Sequence, residues 1–116
     1  MKTVQEYLQN NKERFVSELF DFLRIPSVSA NPDNDADVAS AASFVAEKLK
    51  SAGADNVEVI PTKGHPVVFG EKMVDPSLPT IMVYGHYDVQ PADPLDLWHS
   101  PPFEPEIKNT TIHPGG

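Results

Sequence analysis

TIMVYGHYD, residues 80–88, decides how this chain is read. Thr80, Ile81, Met82, Val83 and Tyr84 form a short apolar run with β-branched members, bounded by Pro79 and Gly85. That is the pattern of a strand buried on both faces, and it makes residues 80–84 the expected central strand of a sheet. Open α/β sheets gather their sites at the ends of such strands, and His86 and Asp88 follow directly. Residues two apart in extended chain project to the same side, so the imidazole and the carboxylate can act together. A histidine that binds zinc through one ring nitrogen commonly gives its other N–H to a carboxylate. A His followed two places later by Asp arises by chance roughly 0.3 times in a chain of this composition. The pair alone therefore fits a hydrogen-bonded structural histidine better than a metal ligand.

Upstream, Val4, Leu8, Phe15, Leu19, Phe22 and Leu23 fall on one helical stripe, with Glu6, Glu13, Arg14 and Glu18 elsewhere around the cylinder. The spacing predicts one amphipathic helix that ends before Pro26, with Ile25 already extended. SVSANPDNDAD then reads as a loop. A second helix starts at Asp35 or Asp37, whose carboxylates can accept from free first-turn amides and oppose the helix dipole. Its buried stripe is Val38, Ala42, Val45 and Leu49, and Gly53 suits the left-handed position just past its end. Residues 57–60 and 67–69, separated by Pro61, Lys63, Gly64 and Pro66, read as an antiparallel strand pair.

Downstream, Pro91, Pro94, Pro101, Pro102 and Pro105 exclude a helix or an interior strand and leave an extended loop, anchored to the body by Trp98 and Phe103. A last short strand is expected at residues 106–108, turning at Asn109. Helices and strands in this order make an α/β or α+β layer.

The 116 residues fit one domain with one modest core. A net charge of −8 argues against nucleic acid as a partner, because phosphate binding needs clustered cations. With no cysteine, any metal site must use His and carboxylates. The first residues, MKTVQEYLQNNKER, lack the apolar stretch of a secretory signal, and no apolar run is long enough to span a bilayer. The expectation is a soluble cytoplasmic protein with no membrane partner.

Three segments in order carry a family resemblance: FLRIPSVSA at 22–30, GHYDVQPADP at 85–94 and LWHSPPFEPEI at 97–107. They resemble the zinc-dependent exopeptidase and amidohydrolase family of carnosinase-like dipeptidases, aminoacylases and desuccinylases, and the wording HYDVQP leans toward the dipeptidase branch. The resemblance covers essentially the whole chain. It implies an α/β fold, the amino-terminal part of a three-layer α/β/α catalytic domain that is incomplete at its carboxyl end.

It further implies that His86 ligates one of two zinc ions, with cobalt or manganese as alternatives, and that Asp88 is the catalytic-site carboxylate orienting its ring. In the family the metals activate a water and polarise an amide carbonyl, and a glutamate takes the water's proton. That glutamate, the bridging aspartate, the other carboxylate ligands and the final histidine lie later in the family's pattern. After PFEPEI this chain reads KNTTIHPGG, with Gly115 where the family usually has an arginine. Residues 1–116 are therefore expected to be an amino-terminal fragment, inactive alone, of an enzyme that hydrolyses dipeptides or N-acyl amino acids. The family often dimerises through a lid domain that this sequence does not contain.

His65, His99 and His113 lack helical or strand spacing to His86 and read as ordinary loop histidines. Asp33, Asp35 and Asp37 lack the later Gly and Glu of a calcium loop, and Ser27 and Ser29 lack the surroundings of a serine nucleophile. The alternative to an enzyme is an acidic binding or regulatory module that keeps the layer without the chemistry. A chance His and Asp pair in an unrelated α/β domain is the third reading.

Overall fold

The computed structural model describes residues 3–109, so His113 and Gly115 lie outside the described residues. The amino-terminal helical stretch is two helices, α1 (Val4–Asn10) and α2 (Lys12–Leu23), rather than one. Thr3 starts α1 with a reciprocal cap: its side chain accepts from the Glu6 amide, and the Glu6 carboxylate accepts from the Thr3 amide. The break falls at Asn11, whose side-chain amide donates to the Tyr7 carbonyl at 2.8 Å. An Asn side chain that bonds the preceding turn competes with the helix ladder, which the apolar periodicity could not register.

A 3₁₀ turn at Pro32–Asn34 leads into α3 (Asp35–Ser51). The start at Asp35 agrees with the sequence, but the capping chemistry differs. Asn31 accepts from the Asp33 amide, and the Asp37 carboxylate takes the Asn34 side chain. Past the end of α3, Gly53 has φ +87°. Its N–H donates to the Lys50 carbonyl and that of Ala54 to the Leu49 carbonyl, both pairs closing the helix as a left-handed glycine cap does.

The strands β1 (Asp55–Ile60) and β2 (Val67–Glu71) pair antiparallel, as expected. Their register shifts between Asp55 and Glu58, where Asn56 and Val57 both face Gly70. Asn56 tolerates the positive φ of 49° that this bulge imposes, and its side chain donates to Glu71. Helix α3 packs on the pair. A Cβ placed on Gly70 would sit 3.2 Å from Leu49 Cδ1 and 3.3 Å from Val57 Cγ2, so the missing side chain lets helix and strand approach.

The buried apolar residues are few: Val28, Val38, Ala41, Ala42 and Ala46. Val38 and Ala42 are buried as expected, but Ala41 and Ala46 take the place of Val45 and Leu49, which are only half-buried. Of the first stripe, Phe15 and Phe22 are half-buried while Val4, Leu8, Leu19 and Leu23 are exposed, and Phe22 stacks on Phe44 of α3 at 5.4 Å. Beside that stack, Glu18 joins Arg14 at 2.9 Å and Lys48 at 3.4 Å.

Residues 80–84 do not form the expected central strand. They pair with no described strand, and Ile81, Met82, Val83 and Tyr84 are 85–90% exposed. A strand buried on both faces needs a neighbour on each edge and a layer on each side, and the described residues provide none. The radius of gyration of 17.3 Å agrees, since about 13 Å is expected of a compact domain this size. Residues 106–108 are likewise unpaired. The proline-rich loop is irregular apart from a 3₁₀ turn at Leu95–Leu97, and Trp98 ties it to itself by donating to the Ala92 carbonyl rather than anchoring it to the body. No described helix is long and apolar enough to cross a membrane.

The exposed run predicts concentration-dependent self-association in sedimentation velocity, relieved by Val83→Lys. A monodisperse monomer at every concentration contradicts it. At Gly53 no atom lies within 4 Å of an added Cβ, so only backbone strain resists a side chain. Gly53→Ala in the Val83→Lys background is expected to lose about 1 kcal/mol, read from urea unfolding, with Gly53→Asn losing less. An unchanged unfolding midpoint for Gly53→Ala contradicts this account.

Candidate functional site

Pro26 stops α2, and the chain then folds on itself in tight steps. The Ser27 N–H donates to the Ile25 carbonyl and the Val28 N–H to the Pro26 carbonyl, each at 2.8 Å, which are three-residue turns in succession. Ser27 and Val28 are buried, at 2% and 7% exposure.

These turns grip residues 87–89, some sixty positions downstream. Val28 and Val89 form a parallel bridge, and the Val89 N–H donates to the Ser27 carbonyl at 3.0 Å. Ser27 Oγ donates to the Tyr87 carbonyl at 3.0 Å, and Ser29 Oγ donates to Asp88 Oδ2 at 2.6 Å. The turn between β1 and β2 closes the third side. Tyr87 donates its hydroxyl to the Pro66 carbonyl, and His65 Nε2 donates to the Ser29 carbonyl at 3.0 Å.

His86 and Asp88 come together as the sequence suggested. His86 Nδ1 lies 3.0 Å from the Asp88 carbonyl oxygen and 3.2 Å from Asp88 Oδ1. Both oxygens are acceptors, so Nδ1 carries the proton and Nε2 of the neutral ring keeps its lone pair. The His86 side chain is 78% exposed and that of Asp88 37%. The Ser29 hydroxyl, more than any other group, holds the Asp88 carboxyl below its ordinary pKa; partial burial opposes it, and the Asp88 backbone amide and His86 assist. Asp88 is thus an ionised acceptor with each oxygen assigned: Oδ1 to His86 and Oδ2 to Ser29. Burial, with help from the Asp88 charge, raises the Tyr87 phenol above its usual value.

Among the described residues no three His, Asp or Glu side chains converge as a metal site would require. At the site they supply His86 Nε2 and the Asp88 carboxylate. His65 is occupied with Ser29, in keeping with a structural histidine, and His99 lies in the proline-rich loop without joining His86. Sequence reasoning set Ser27 and Ser29 aside as failed nucleophiles and missed their role as donors. The signal was present in FLRIPSVSA, a match that composition and periodicity do not explain.

No protein-family model matches the chain. It is 30% identical over 116 residues to the Cys-Gly metallodipeptidase DUG1 of Saccharomyces cerevisiae, covering 90% of this chain and 24% of that protein. It is also 30% identical over 112 residues to the Beta-Ala-His dipeptidase of Rattus norvegicus, covering 84% of this chain and 22% of that protein. Its relatives are metallodipeptidases. The solved structure of the di-peptidase Dug1p from Saccharomyces cerevisiae matches at a TM-score of 0.76 and 32% identity, over 84% of this chain and 22% of that one. The helices and the small antiparallel sheet therefore match part of the Dug1p structure, in line with the fold that the resemblance implied. The chain spans about a quarter of the length of the metallodipeptidases it matches.

Proposed function

We propose that these residues belong to a zinc-dependent dipeptidase that hydrolyses the amide bond of dipeptides or N-acyl amino acids. His86 is a metal ligand through Nε2, and Asp88 is the carboxylate that fixes its ring. The observation that carries this reading is the assigned proton: with Nδ1–H given to Asp88, the nitrogen left free is the one at the exposed end of a His86 ring. That arrangement stands in a chain whose relatives are named as metallodipeptidases. Zinc held there with further ligands would polarise the substrate carbonyl and lower the pKa of water. The described residues contribute one ligand and its orientation. Asp88 sets the tautomer of the ring, while the residues that complete a metal set are not among them.

The 116-residue polypeptide by itself is therefore expected to bind zinc weakly and to hydrolyse neither a Cys-Gly nor a β-Ala-His dipeptide, because at least three protein ligands make a zinc site. The same residues exchanged for the matching stretch of the Saccharomyces metallodipeptidase are expected to support metal-dependent turnover. In that chimera His86→Ala abolishes activity and Asp88→Asn lowers it roughly 10 to 100-fold, through loss of the partner that orients the ligand. A folded, active chimera indifferent to His86→Ala removes His86 from the metal site. Metal-dependent turnover by the 116 residues alone contradicts the assignment of catalysis to groups outside them.

A further inference from the structure

A carboxylate can orient a histidine only if it is itself held, and Asp88 is held from one side. Its Oδ2 accepts the Ser29 hydroxyl at 2.6 Å, at the short end for a hydrogen bond to an ionised acceptor. Its Oδ1 faces His86 Nδ1 at 3.2 Å, at the long end for an N–H donor. The tighter contact fixes the rotation of the carboxylate, and the looser one depends on where that rotation leaves Oδ1. Ser29 is well placed to be the fixed member. Its carbonyl takes the His65 Nε2–H, and its neighbour Val28 is buried and bridged to Val89.

We propose that Ser29 is a positioning residue that selects the Nδ1–H tautomer of His86 by locking the Asp88 carboxylate. Ser29 makes no hydrogen bond to the imidazole, so it acts through Asp88. An imidazole in water prefers its proton on Nε2, which would block the nitrogen needed for a ligand. Two acceptors at Nδ1 oppose that preference, the Asp88 carbonyl at 3.0 Å and Asp88 Oδ1 at 3.2 Å, and the charged one, which Ser29 holds, is the stronger when it is kept in place. Without the Ser29 hydroxyl the carboxylate, already 37% exposed, turns toward water. The functional weight of this step rests on the metal-ligand reading of His86, whereas the tautomer does not.

The test is metal-free and so separates the two. Long-range ¹H–¹⁵N spectra of the ¹⁵N-histidine-labelled chain report which ring nitrogen of His86 carries the proton at neutral to mildly alkaline pH. Wild type is expected to hold the Nδ1–H form. Ser29→Ala, which keeps the backbone acceptor for His65, is expected to lose that predominance while the amide spectrum stays folded, and Ser29→Thr, which restores a hydroxyl, to recover it. The proposal is overturned if wild type shows the Nε2–H form of free histidine or if Ser29→Ala leaves the tautomer unchanged. It is overturned equally if Ser29→Thr fails to rescue, or if Ser29→Ala collapses the amide spectrum and shows Ser29 to be merely structural. Retention of the Nδ1–H tautomer by wild type alone, with no zinc binding at His86 in the chimera, would sink the metal reading and leave the positioning role standing.

Discussion

The grip of residues 27–29 on residues 87–89 is the constraint on which the site depends. It joins two stretches about sixty residues apart through the Ser27, Ser29 and Val89 hydrogen bonds. Closing a flexible loop of that length costs about 4 kcal/mol, and each hydrogen bond returns about 1 kcal/mol net. The two sides are of the same size, so the grip cannot hold on its own bonds. What tips it is the body between: α3, capped at Gly53 and packed on the β1–β2 pair across Gly70, carries the chain from Asn31 round to Pro66. From Pro66 the Tyr87 hydroxyl has only a short loop to close.

Asp88 illustrates how a site can be set by groups far apart in sequence. Its two oxygens face a serine from one end of the chain's first loop and a histidine from its own turn. The donated hydroxyl lowers the carboxyl's pKa below its ordinary value, and the ionised acceptor in turn faces the imidazole proton. The His86 ring is largely exposed, so orientation by Asp88, rather than enclosure, is what distinguishes it from an ordinary surface histidine.

Local chemistry was legible in the sequence where a residue acts on its own neighbours. Asp35 opened α3, Gly53 closed it, and the proline and glycine cluster between the strands gave the antiparallel pair. The His86 and Asp88 pairing was legible for the same reason, since spacing of two fixes it locally. Asn11 escaped because its side chain breaks a helix that hydrophobic spacing alone would continue. The burial of Ala41 and Ala46 escaped because it depends on what packs against α3, which hydrophobic spacing along the helix does not report. Residues 80–84 show the opposite failure. Their composition reports the surroundings such a strand needs, and among the described residues those surroundings are absent.

The central claim is that the amino-terminal turns hold the segment bearing His86 and Asp88. Amide hydrogen exchange at Val89 tests it most directly, because that N–H has a single partner, the Ser27 carbonyl. The account predicts that Val89 is protected well beyond the rate of an unstructured amide, and that Ser27→Pro, which strains the turn, removes the protection. Exchange of Val89 at the unstructured rate in a chain whose α3 amides are protected would contradict it.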